Sequence, residues 1–408
     1  MVQPPTNSPQ KIITRTILIL SLVSLCNDIA SEMLIPVMPM FLKHIGFTVL
    51  LIGILEGFAE AIAGLSKSYF GRQSDLMGKR LPFVQLGYAL SAISKPLMAV
   101  FAYPLWIFLV RTTDRLGKGI RTGARDAMLS DESTPATRGR VFGFHRSMDT
   151  FGAVLGPALA LAYLYYHPQD YKTLFLVTFI PGLAVIILTR LIREKPKLQD
   201  PGNDKETVKH ERRNLFAFVG YWKKSPVAYK KLVSGLLLFA LFNSADVFLL
   251  LKMKETGITD TAVIGLYIFY NLVFAVLAYP IGILADKMGL KRIFLFGLAF
   301  YILVYAGFAM NSNPIIYLFL FIGYGIYQAA TDGVSKAWIS NMVDKKDTAT
   351  AIGTFTGFQS IGMLIASSLC GVLWMVFGSM ITFLITAAIA LIVLIYLAGI
   401  KSSATDIQ

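Results

Sequence analysis

Long apolar runs, each near the length of a membrane-crossing helix, alternate along this chain with short polar breaks. A hydrocarbon core of about 30 Å takes roughly 20 helical residues to cross. On that measure the pattern predicts twelve helices, at 13–43 (extended past Pro36 and Pro39), 47–70, 82–102, 104–125, 139–166, 172–193, 229–251, 261–283, 292–311, 314–340, 348–376 and 379–399. Six precede and six follow a polar stretch rich in Lys and Arg. The predicted organisation is an N-terminal six-helix bundle over 1–193, a solvated linker over 194–228 and a C-terminal six-helix bundle over 229–408.

Composition agrees with that pattern. Of 408 residues, 55% are hydrophobic and 15% charged, with a mean hydropathy of +0.62, which is too apolar for an ordinary soluble domain. The net charge of +14 does not call for a nucleic acid, because the Lys and Arg residues gather in the short breaks. Arg72, Lys79, Arg80, Arg138, Arg140, Lys287, Lys291, Arg292, Lys345 and Lys346 all fall on one side, and the opposite loops are nearly uncharged. The positive-inside rule then places both termini in the cytoplasm. Cys26 and Cys370 lie inside apolar runs without ligand spacing, so neither a disulfide framework nor a metal site is expected, and no cofactor. The polar segment before Ile12 reads as a cytoplasmic tail, with no cleavage site after the first apolar run.

One stretch occurs twice. Gly71, Asp75 and Gly78 return as Gly282, Asp286 and Gly289, each at an offset of 211 residues, and both copies are followed by basic residues, Lys79 and Arg80 in the first, Lys291 and Arg292 in the second. The repeat extends further, since Gly123, Ala127 and Ser130 match Gly333, Ala337 and Ser340 at an offset of 210, as do Gly143 and Gly152 with Gly353 and Gly362. Six crossings return the chain to its starting side, so the two halves are parallel repeats about an axis along the membrane normal. These loops resemble the GxxxDxxG-plus-basic signature of the major facilitator superfamily, in both places where that family carries it. The resemblance implies an all-α membrane fold of twelve helices in two pseudo-symmetric bundles. It also implies that Gly71, Asp75, Gly78, Arg80, Gly282, Asp286, Gly289 and Arg292 form gating loops, the carboxylates meeting helix N-termini or Arg partners. As local chemistry alone, the same residues make tight turns with basic anchors.

Charges inside the predicted helices are the second signal. Asp28, Glu32, Glu56, Glu60, Lys95, Arg111, Asp114, Arg115, Lys118, Arg146 and Asp149 all fall in the first half. At bilayer centre each costs roughly 2.5–3.5 kcal/mol on insertion scales, so they face the bundle interior. Most are spaced i,i+4 or i,i+3 and share a helix face. One reading is a structural network of six carboxylates and five cations. The other makes desolvated carboxylates carriers of a coupling proton, with Asp28 and Glu32 first and Glu56 and Asp149 after them. Lys95, Arg111, Asp114, Arg115 and Lys118 are then candidate substrate contacts. In the second half Asn243, Tyr324, Tyr327 and Gln328 supply a neutral wall, Tyr324 and Gln328 standing at the repeat positions of Asp114 and Lys118.

The expected activity is proton-coupled efflux of a small organic solute by alternating access, by a monomer in a bacterial inner membrane. Gly143, Gly152, Gly156 and Pro157 resemble the element found among the family's drug and proton antiporters, with Ala160 and Leu161 where that element closes on a Gly pair. The cations of the fourth helix favour an alternative, uptake or exchange of an anionic metabolite, organophosphate or siderophore. A receptor that keeps the fold without turnover is the third reading. No nucleotide-binding loop and no nucleophile–base spacing stands out, so neither ATP nor enzymatic chemistry is expected.

Overall fold

The computed structural model describes residues 12–34, 37–38, 41–42, 45–46, 49–194, 217–243 and 246–400, and the only regular elements among them are helices. The helices are α1 (Arg15–Glu32), α2 (Val49–Leu76), α3 (Leu81–Leu97), α4 (Pro104–Asp131), α5 (Arg138–Tyr166), α6 (Tyr171–Val177), α7 (Phe179–Arg190), α8 (Ala217–Lys224), α9 (Val227–Ala240), α10 (Val247–Glu255), α11 (Asp260–Met288), α12 (Leu290–Met310), α13 (Pro314–Asn341) and α14 (Thr348–Gly399).

Local signals set their ends. Thr14 and Asn313 accept the Ile17 and Ile315 amides at the starts of α1 and α13, and proline opens α4 and α13 where its missing N–H costs nothing. The turn after α2 and the junction of α11 with α12 hold Gly78 at φ +63° and Gly289 at φ +96°, a region open to glycine and strained for other residues. The closing glycine of the repeated motif therefore takes a positive φ in each half.

Burial is inverted relative to a water-soluble protein. Arg80 and Lys95 are almost wholly enclosed, while Leu303 and Ile395 turn more than 60% of their surface outward. Six stretches among the described residues are long and apolar enough to cross a membrane, and one of them, Lys345–Gly399, bends at Gly378 into two successive helices. The bend falls between the predicted helices 348–376 and 379–399. Several other predicted spans fall short by that measure for physical reasons. α4 carries too many charges, α3 has 17 residues, and the predicted span 229–251 is broken between α9 and α10, while several side chains of α2 lie outside the described residues. The break surrounds Asn243 and Asp246, polar groups in an otherwise apolar run. The helix predicted over 13–43 ends at Glu32, and of the predicted linker, residues 195–216 lie outside the described residues.

Packing follows the duplication. α1 lies on α5 and α7, α4 on α2 and α3, α13 on α11 and α12, and α14 on α9 and α12. The halves meet through α5 against α11 and through α2 against α14, which are one pairing seen twice, since the repeat offset carries α5 onto α14 and α2 onto α11.

Candidate functional site

At the end of the molecule that carries the repeated motif, the two halves are clasped by mirrored contacts. Asp75 accepts hydrogen bonds from the Thr350 amide (2.7 Å) and hydroxyl (2.8 Å) at the start of α14. Asp286 accepts from the Gly139 amide (2.7 Å), the Arg140 amide (2.9 Å) and Arg140 Nε (3.0 Å) at the start of α5. Each carboxylate thus satisfies orphan N–H groups at the positive end of a helix from the other half. Glycine makes the approach possible: a Cβ on Gly71 would stand 2.6 Å from the Ala349 carbonyl, and one on Gly282 would collide with Gly139. Arg80, fully buried, bridges Asp75 (3.2 Å), Asp131 (3.1 Å) and the Lys345 carbonyl (2.9 Å). Symmetry ends there. Lys291, one offset from Arg80, donates to the Ala398 and Ile400 carbonyls of its own half, and Arg292 is exposed.

Beyond the clasp lies a cavity of about 290 Å³ whose lining includes Asp28, Glu32, Asp114, Arg115, Lys118, Arg146 and Asp149. The sequence placed Lys95 and Arg111 in the same role, and the structure sets them behind it. Lys95 donates to the Ser91 carbonyl (2.7 Å) and pairs with Asp114 (3.3 Å), and Arg111 stands 3.7 Å from the other Asp114 oxygen. Neither lines the cavity. They hold Asp114 in place, and α4 lines the cavity with Asp114, Arg115, Lys118, Arg121, Thr122 and Arg125. Glu56 and Glu60 lie on α2, and their side chains are outside the described set.

A polar chain crosses the cavity floor from one half to the other. Ser24 donates to Asp149, which also accepts from Arg146 (2.6 Å), and Arg146 reaches across to Asp332 of α13 (2.8 Å). Deeper, Asp126 pairs with Arg125 (2.8 Å) and with Lys336 of the other half (3.3 Å). Asp332, Lys336, Lys67, Arg121 and Arg125 all line the cavity and escaped the reading of intramembrane charge. A signal for them existed. Asp114, Lys118, Arg121 and Arg125 continue one helix face, and Asp332 with Lys336 is an i,i+4 pair at the repeat positions of Thr122 and Asp126.

The second half closes the other side with a cavity of about 470 Å³ that shares Lys67, Arg146, Asn271, Asp332 and Gln359 with the first. Beside the charged Lys67, Arg146, Asp246 and Asp332, the rest of its wall is neutral and largely aromatic. Asn243 donates to the Tyr327 hydroxyl (3.2 Å), and both line it together with Gln328, Phe239 and Tyr270. Tyr324 is buried behind that wall, where it hydrogen-bonds Asp246 (2.7 Å) and takes a 3.4 Å contact from Gln328. Gly152 and Gly156 of the antiporter-like element seat α5 on α1, where added Cβ atoms would stand 2.7–2.8 Å from the Leu25 carbonyl and the Ile29 carbonyl. Their spacing is thereby explained by helix packing.

Comparison with known proteins agrees with this architecture. The family profile described as Major Facilitator Superfamily matches residues 20–259 and 247–405. An uncharacterized MFS-type transporter of Methanocaldococcus jannaschii is 33% identical over 392 residues, 95% of each chain. An uncharacterized MFS-type transporter of Bacillus subtilis, YqjV, is 27% identical over 179 residues, 43% of this chain and 42% of that one. Among solved structures, the human organic anion transporter MFSD10 superposes with a TM-score of 0.76 at 14% identity, over 97% of this chain and 100% of that one. FucP, an MFS transporter in the outward conformation, gives 0.72 at 12% identity over 96% and 100%.

Proposed function

We propose, for a chain that belongs to the major facilitator superfamily of membrane transporters, that it moves a small anionic organic solute by alternating access, coupled to protons. One observation carries the solute class. Seven Lys and Arg side chains line the charged cavity against five Asp and Glu, an excess of positive charge away from bulk water. Arg115 and Lys118 offer point and forked donors for a carboxylate or phosphate, and a desolvated site strengthens both. The efflux reading rested on the Gly and Pro spacing of α5, for which packing on α1 is sufficient reason, so the solute's charge is the stronger guide.

Asp28 and Glu32 are the proposed proton carriers. Both line the cavity on α1, one turn apart, while Asp149 is already committed to Ser24 and Arg146. A carboxylate in a desolvated site beside cations and other acids gains or loses a proton as the neighbours change, which is what coupling requires. In this reading the basic motif loops face the cytoplasm and the clasp between them is the inner gate. The two bundles rock about the cavity as a monomer, and the chain catalyses no covalent chemistry.

The test is uptake into proteoliposomes under an imposed pH gradient, with carboxylates and phosphate esters set against neutral and cationic solutes. The expected result is flux of anions that follows the gradient and is uncoupled by Asp28→Asn or Glu32→Gln. Gradient-independent flux that survives both substitutions would remove the proton assignment. Preference for neutral or cationic solutes would remove the anion.

A further inference from the structure

Asp246 stands at the break between α9 and α10, and the mechanism proposed above leaves it without work. Its carboxylate lines the second-half cavity. Tyr270 and Tyr324 donate their hydroxyls to its two oxygens at 2.5 and 2.7 Å. Two phenol donors hold the group in one orientation and occupy only part of its acceptor capacity, which is about four lone-pair directions. Among the described residues no Lys or Arg lies within ion-pair distance of it, unlike Asp114, Asp126, Asp149 and Asp332, each of which has a cation. A carboxylate placed at membrane depth without a cation is costly unless something brings one.

The surroundings suit a cation brought by a solute. Rings gather around it: Tyr270, Tyr327 and Phe239 line the cavity, with Tyr324 behind them 5.2 Å from Tyr270 and 5.4 Å from Tyr327, and Phe239 6.1 Å from Tyr327. Aromatic faces beside a carboxylate attract an ammonium group by cation–π and by charge together. A neutral hydroxyl would gain only the hydrogen bond. The facing wall, with Arg115 and Lys118, takes negative charge, and the two cavities run into one another at Arg146 and Asn271.

We infer that the solute is bipolar, with a protonated amine received by Asp246 on the aromatic wall and an anionic group received by Arg115 and Lys118 opposite. This rests on the anion reading above and extends it to the class of amino acids and amine-bearing phosphates with an apolar or aromatic body. Asn243 and Gln328 flank the amine end as further hydrogen-bonding groups. The amine supplies the missing counter-ion and the anionic group meets the cationic wall, so a zwitterion pairs both ends while leaving the net charge of the cavity unchanged.

The experiment titrates purified full-length protein with matched triplets: phenylalanine, 3-phenylpropanoate and phenethylamine, and the corresponding set built on a phosphate ester. Binding is read by thermal shift and by competition. The zwitterion should bind the wild type about tenfold or more tightly than its deaminated partner, the scale of one charge-assisted contact. Asp246→Asn should bring that ratio close to one through loss of affinity for the zwitterion, the deaminated acid still binding. Tyr270→Phe, which keeps the ring, should lower the ratio by a smaller factor and serves if Asp246→Asn fails to fold. A wild-type ratio of one, a ratio that survives Asp246→Asn, or no response to any triplet overturns the inference. If phenethylamine binds as tightly as phenylalanine, the anion reading falls and the amine site stands.

Discussion

α4 and α13 are the same helix by duplication, and they do opposite things with it. At an offset of 210, Asp114, Lys118, Arg121 and Arg125 of α4 stand where α13 has Tyr324, Gln328, Thr331 and Ser335. One residue further on, α13 carries Asp332 and Lys336 where α4 has Thr122 and Asp126. Both helices keep the same partners, α4 on α2 and α3, α13 on α11 and α12. Packing constrains the backbone and the small residues at helix contacts. The cavity-facing positions are released from that constraint, so one copy became an ionic wall and the other a wall of rings. At the floor, where Asp126 meets Lys336, the charges return as a pair split between the copies.

The comparison breaks most severely behind Asp114. Lys95→Met leaves an enclosed carboxylate without its nearest cation and should cost about 3–5 kcal/mol of stability in detergent, read by chemical denaturation. Adding Asp114→Leu, which brings α4 toward the neutral character of α13, should recover most of it. If the single variant is as stable as the parent, Asp114 draws its compensation elsewhere. Next comes the bridge between the halves. Arg146→Gln deprives Asp332 and Asp149 of a charged partner, and a loss of about 2 kcal/mol should shift the ratio of clasped to unclasped molecules roughly thirtyfold. Distances between spin labels across the clasp measure that shift, and an unchanged distribution would show the bridge to be energetically idle.

Lys118→Gln copies α13 into α4 at one position. Transport of anionic solutes should fall about tenfold, equivalent to about 1.4 kcal/mol, with neutral solutes untouched. Equal losses for both would mean that Lys118 acts through structure. The smallest change copies nothing and trims one atom. Tyr324→Phe removes one of two donors to Asp246 and should lower stability by about 1 kcal/mol, seen as a modest drop in melting temperature. An unaltered melt would leave Tyr270 as the donor that matters.

Much of this is legible in the sequence. The repeated Gly, Asp, Gly spacing at Gly71 and Gly282 announced the fold, because a turn that needs glycine and a carboxylate at a helix start are local demands that leave local marks. Apolar runs located most helices for the same reason. What failed to show was anything decided by two distant segments meeting. Lys95, Asp114 and Arg111 look alike in a sequence, and only packing reveals which one meets the cavity. Asp332 was overlooked because α13 is apolar enough to dilute it, while its partner Arg146 lies in another helix and another half. The break before Asp246 was averaged away by the leucines and phenylalanines on either side of it.

The clasp has a consequence for how the transporter must open. Asp75 and Asp286 each occupy amide N–H groups that have no partner within their own helices. If the halves part here, as the proposed rocking requires, those amides and both carboxylates must find water at both clasps. Opening is therefore a wetting event as much as a rotation. Its rate should slow as osmolytes lower the activity of water, and the slope would count the molecules that flood the gap.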